Sequence, residues 1–186
     1  MALQVAFGDV QARLKDLQDA LLHLRFAVEA RSTRIDHHLA DRLEDQVIPD
    51  LKGLTDEALV EAQIGIDASG HPPDIGTCGR ALLACQKCVN QVVAKFWTEL
   101  GSYRPMADLI GLGEERSAEW RAWTYGVLNA LDRCHEPVYH VSEAVLQCWQ
   151  ELLERIGTTS ISVQATNIGQ QIGLSEEERA VAKSAT

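Results

Sequence analysis

The chain has 186 residues, 46% hydrophobic and 24% charged, with a formal net charge of −10 at pH 7. That composition suits one globular domain whose core needs no disulfide or metal staple. A negative balance without a Lys/Arg stripe argues against a nucleic-acid partner, and no apolar run approaches the ~20 residues that span a bilayer.

The first segment, "MALQVAFGDVQARLKDLQ", carries neither a basic leader nor a small-residue cleavage site after an apolar stretch. Five cysteines is an odd count without a disulfide framework. Together these predict a cytoplasmic protein with free thiols.

In chain order, Val10, Leu14, Leu17, Leu21, Leu24 and Val28 alternate spacings of four and three, the rhythm of a helix seated on other helices. Asp9 is the expected N-cap. The rhythm resumes with Ile35, Leu39, Leu43, Val47 and Leu51, and Pro49 is expected to kink that helix or end it near Ile48. "GLTDEALVEAQIGI" then restarts a helix, with Thr55 as the expected cap. "DASGHPPDIGT" reads as a loop.

Cys78, Leu82, Cys85, Val89, Val92 and Phe96 repeat the spacing and predict a helix to about Leu100. "GSYRPMADLIGLG" reads as a connection with one helical turn. The longest run follows: Trp120, Thr124, Val127, Leu131, Cys134, Val138, Val141, Val145, Cys148 and Leu152. It passes Pro137 without losing register, which predicts one long kinked helix rather than two. Beyond Gly157 the periodicity stops. "TTSISVQATNIGQQIGL" is β-branched and polar, and "SEEERAVAKSAT" holds a capping box, Ser175 with Glu178. The expected architecture is all-α: an antiparallel four-helix-type bundle over residues 1–157 with an extended C-terminal tail over 158–186.

Three features could carry chemistry. Cys85 and Cys88 form a CxxC, but in mid-helix, where the backbone amides are occupied and cannot wrap a cation. Cys78, Cys85, Cys134 and Cys148 fall on the apolar rhythm and are expected to be core. A metal site is the second reading, with His37, Asp41, His135 and His140 as ligands of a metal-dependent helical-bundle enzyme. No nucleophile elbow, Walker loop or dinucleotide fingerprint occurs. The first reading therefore has no catalytic residue, metal or cofactor.

The third feature is "EWRAWTY". Trp120 and Trp123 share a helix face and are expected first as core; the alternative is an aromatic anchor, since Trp120, Arg121, Trp123 and Tyr125 are the residue types that dominate interface hot spots. The tail adds Ile161, Val163, Ile168 and Ile172, which lack a helical face and need a surface to cover them. These eight residues are the expected partner-binding set.

The stretches "GRALLACQKCVNQVV", "EWRAWTYGVLNALDRCHEPVYHVSEAVLQCWQELLER" and "TTSISVQATNIGQQI" resemble the small helical proteins associated with bacterial CATRA conflict systems. Such a protein stands there beside caspase-like peptidases and tetratricopeptide-repeat (TPR) proteins. The likeness covers roughly Gly76 to Ile172 and rests on texture, not on a catalytic motif. It implies a non-enzymatic adaptor or sensor in antiviral defence, with a caspase-like or TPR protein as partner. It carries over no site residue. A homo-oligomer is left open, and no membrane or nucleic-acid partner is expected.

Overall fold

The structure, a computed structural model, describes residues 2–30, 37–111 and 118–157, with the backbone alone at 37–39 and 100–111. Among the described residues every element is helical and there is no strand. The elements are α1 (Ala2–Glu29), α2 (His37–Arg42), a π-helical turn (Leu43–Val47), α3 (Ile48–Ala68), α4 (Ile75–Gly111) and α5 (Ala118–Ile156). The four long helices close a ring: α1 packs on α3 and α5, and α4 packs on the same two. The all-α bundle expected from the periodicity is what forms. The tail, 158–186, lies outside the described residues.

Paired contacts fix the antiparallel sense of α1 on α3, of α3 on α4 and, through Gln86–Trp149 with Trp97–His135, of α4 on α5. Phe7, early in α1, meets Gly65, late in α3. Further along, Gln11 donates to Gln63 at 2.8 Å and Gln18 to Asp56 at 2.5 Å, so α1 and α3 run in opposite directions. Cys88 of α4 donates to Glu57 of α3, and Lys95 pairs with Asp50. Trp149 of α5 reaches Gln86 of α4, and Trp123 reaches the carbonyl of Val28 in α1.

The predicted stripes are the buried ones. Val10, Leu14, Leu17, Leu21, Leu24 and Val28 are all buried, and Leu3 and Phe7 carry the same stripe one helical turn and more upstream. α1 therefore begins at Ala2. Asp9 is not a cap; it sits inside the helix, 3.5 Å from Arg13. Every member of the α5 series from Trp120 to Leu152 is buried, and the helix is unbroken through Pro137. Burying each large aliphatic side chain contributes about 1.5–3 kcal/mol, so a stripe of them outweighs the cost of one interior proline, about 3 kcal/mol.

Pro49 does not end its helix. Residues 37–68 stay helical because a π turn immediately precedes the proline. The Ile48 N–H donates to Leu43 O, five residues back. A proline ring clashes with the carbonyl four residues before it, here Asp45. The wider π turn contains that carbonyl and absorbs the misfit. Thr55 is consequently a mid-helix residue, fully buried, with its hydroxyl donating to Leu51 O at 2.7 Å.

The cap that matters is Asp74. Its carboxylate accepts from the Thr77 N–H at 3.0 Å and from the Thr77 hydroxyl at 2.7 Å, and it starts α4. These bonds hold its carboxyl below the usual carboxylate range. At the far end α4 continues past Leu100 to Gly111, so "GSYRPMADLIG" is helix rather than connection. Extending an established helix adds one bond per residue fixed, so weak formers are carried along. Gly157 closes α5 with φ +75°, its N–H donating to Glu154 O at 3.1 Å.

Candidate functional site

The cysteines come first, because a thiol site would name a reaction. Cys78, Cys85, Cys134 and Cys148 are fully buried, Cys88 is half-buried, and all five are free. Burial pushes the Cys85 thiol up to about 12, with Cys88 and Glu61 adding to the effect. Burial also pushes Cys134 up to about 12. Cys148 is raised by burial and then by its neighbours Cys85 and Cys78, and Cys78 by burial and then Asp74. Cys88 is raised by burial and by Glu57, to which its thiol donates at 3.7 Å.

A reactive cysteine needs a cationic or helix-terminal setting that favours thiolate. Cys85, Cys88, Cys134 and Cys148 sit inside their helices, and Cys78, although in the first turn of α4, is still pushed up by burial and by Asp74. The core uses Cys78, Cys85, Cys134 and Cys148 as small hydrophobes, with Cys85 of α4 and Cys148 of α5 close enough to feel each other. Its polar lock is the Trp149 indole, which donates to Gln86 Oε1 at 2.8 Å inside the core.

The histidine set does not converge on α5. His135 and His140 are five residues apart, so ~100° per residue turns them about 140° away from each other. His135 packs edge-on to Trp97 of α4 at 4.9 Å, and His140 packs on Tyr139 at 5.9 Å. Asp41 lies on α2, and the side chain of His37 falls outside the described residues. Among the described residues no group of three or more His, Cys, Asp or Glu side chains is placed to hold a metal ion. No described helix is long and apolar enough to cross a membrane.

The partner-binding set divides. Trp120 and Trp123 are buried, and the Trp123 indole donates to Val28 O at 3.1 Å, tying the start of α5 to the end of α1. Arg121 and Tyr125 point outward. Ile161, Val163, Ile168 and Ile172 lie outside the described residues.

The structure adds a surface that the sequence did not single out. On the outer side of α5, Tyr125, Leu128, Asp132, His135, Tyr139, Ser142 and Leu146 repeat the same three–four spacing. None of them is buried: Tyr125 is 58% exposed, Tyr139 61% and Leu146 44%. Trp97 of α4, 47% exposed, leans on this row through His135. α5 thus carries two parallel stripes, one filling the core and one facing out beside α4. The second was legible as spacing. It was masked because its polar members break the apolar count.

A second feature that the sequence did not announce is Glu99 of α4. It is 7% exposed, accepts from Arg42 Nη2 at 2.8 Å through Oε1, and its Oε2 has no partner among the described residues. The pair ties α2 to α4. Its position continues the α4 stripe one turn beyond Phe96, where a carboxylate would not be sought.

No protein-family model matches the chain, and no curated protein or solved structure does.

Proposed function

We propose that this chain is a non-enzymatic helical adaptor or sensor working in the cytoplasm of a prokaryote. Its place would be within a conflict system of the CATRA kind, beside a caspase-like peptidase or a TPR protein. The observation that carries this is the outer row of α5 with Trp97 of α4 beside it: Tyr125 and Tyr139 are more than half exposed on one face of α5, and Trp97 is 47% exposed against His135 of that row. Aromatic and arginine side chains on a rigid element are the usual anchors of an interface. Arg121 and Tyr125 open the row, and Ile161, Val163, Ile168 and Ile172 complete the proposed partner-binding set. Trp120 and Trp123 support it from inside by fixing the first turns of α5. The high thiol pKa values fit this reading, since they leave the cysteines to packing.

The test is co-purification of the full chain with the caspase-like and TPR proteins encoded in its own genome. A stable complex that is lost in Tyr125→Ala and Tyr139→Ala, with helicity unchanged, supports the proposal. A complex indifferent to both substitutions removes this face from consideration.

A further inference from the structure

The outer row of α5 has the spacing that seats another helix, and its charge restricts which helix. From Tyr125 to Leu146 the three–four alternation extends about 32 Å at ~1.5 Å per residue. Trp97 of α4 stands beside its middle, edge-on to His135 at 4.9 Å, so one wall of the seat is aromatic. Asn90 and Ala94, on the same face of α4 as Trp97, are exposed and uncharged.

The charge lies along the other border. At ~100° per residue, His135 turns about 40° from Tyr139 toward α4, while Glu143 and Glu136 turn about 40° and about 60° the opposite way. Both glutamates are exposed and have no ion pair among the described residues. Asp132, within the row, has the same sign. Arg121 at the start of α5 is the one cation in this sector, since Arg133 is about 120° away from Tyr139.

An aromatic row with a carboxylate border discriminates among occupants. It repels an anionic lipid surface, as does the net charge of −10. A second copy laid antiparallel on the row sets Glu136 close to its own counterpart, because His135 is near the midpoint. A helix whose apolar stripe is edged with Lys or Arg meets neither cost. It gains carboxylate pairs along one border and cation–π contact with the tyrosines.

We propose that the outer face of α5 is the docking groove for a basic amphipathic helix of a partner protein. Its apolar stripe lies on Tyr125, Tyr139, Leu146 and Trp97, and its Lys or Arg edge meets Glu136 and Glu143. The inference rests on the adaptor reading and gives the partner a chemistry.

The probe is a fluorescein-labelled peptide of about 22 residues, long enough to span the row. It has leucine at the three–four positions, lysine at the bordering ones and alanine elsewhere; a second peptide has glutamate in place of lysine. Anisotropy titration against the full chain should find the lysine peptide bound about tenfold more tightly. Glu136→Lys with Glu143→Lys should cancel that preference, and Tyr139→Ala should weaken the lysine peptide about tenfold. Asp16→Lys with Asp19→Lys makes the same charge change on exposed sites of α1, and should alter binding by less than about twofold.

Equal affinity for the two peptides overturns the proposal. So does an equal loss in the α1 variant, which marks attraction to net charge alone. Self-association abolished by Tyr139→Ala would make a second copy the occupant, and Tyr139-dependent binding to phosphatidylserine vesicles would make it a membrane; either result refutes the basic helix. Neither peptide is a caspase-like or TPR protein, so the groove can fail while the adaptor reading survives, and the reverse.

Discussion

Gly65 is the most tightly enclosed of the described glycines, and replacing it separates packing from helix propensity. In an exposed helix interior, Gly→Ala stabilises by about 0.5–1 kcal/mol, because alanine loses less backbone entropy on folding. Gly53 of the same helix is such a site, with nothing within 4 Å of an added Cβ. At Gly65 the added Cβ would lie at or inside 2.5 Å from Phe7 Cδ1, Cε1 and Cζ. Carbon atoms settle at ~3.5–4.0 Å, so the ring must retreat by about 1 Å or more. Phe7 is fully buried in a close-packed core and has no vacant space to retreat into. Overpacking of this kind costs about 1–3 kcal/mol.

The expected outcome is opposite signs for one chemical change at two positions of α3. Urea unfolding followed by helicity reads it: with m near ~2 kcal/mol/M, Gly65→Ala lowers the midpoint by about 0.5–1.5 M while Gly53→Ala raises it slightly. Phe7→Leu should make Gly65→Ala less costly, a coupling visible in a double-mutant cycle. If Gly65→Ala is neutral or stabilising at unchanged m, the α1–α3 contact is not as described.

Other outcomes follow from the polar and titratable core. Unfolding releases Cys85 and Cys134 from pKa values of about 12 to the ordinary 9.0, so the unfolded state binds fewer protons above pH 9. Stability is then flat below pH 9 and falls between pH 9 and 12, by about 1.4 kcal/mol per pH unit for each thiol; Cys134→Ala should flatten that slope in denaturant titrations. Trp149→Phe leaves Gln86 Oε1 without its indole donor in the core, and should cost about 1–3 kcal/mol in the same assay. Arg42→Ala strands the Glu99 carboxylate and should destabilise more than Glu99→Gln; equal effects would show that the pair is not coupled. Metal analysis of untagged protein should find less than one equivalent of zinc or iron, and a stoichiometric metal would revive His37, Asp41, His135 and His140 as ligands.

How much of this was legible in the sequence depends on what each residue reports. The run from Trp120 to Leu152 was readable because burial imposes one register on one helix, and a proline that keeps the register cannot be a break. The cysteines were readable for the same reason. Pro49 was legible only as a choice between a kink and an end: the chain stays helical past it through a π turn, and nothing local advertises that wider turn. Asp74 was hidden in a loop rich in other turn formers, so its capping role needed the hydrogen bonds to Thr77. "GSYRPMADLIG" misled because glycine and proline report local cost, whereas helix extension depends on what has already formed. The exposed row on α5 was half legible: Tyr125 was singled out, but Tyr139, Leu146 and Trp97 acquired meaning only once burial had sorted one face of α5 from the other.

Native-state thiol labelling, read residue by residue in a mass spectrometer, decides whether the cysteines are core or chemistry. Half-buried Cys88 should react first, and Cys85, Cys134 and Cys148 should react only as fast as the bundle unfolds. At neutral pH a thiol near 12 holds about three orders of magnitude less thiolate than an ordinary one, so the gap should be plain within one experiment. Rapid labelling of Cys85, Cys134 and Cys148 in the folded protein would contradict the packed core and return the cysteines to the search for an active site.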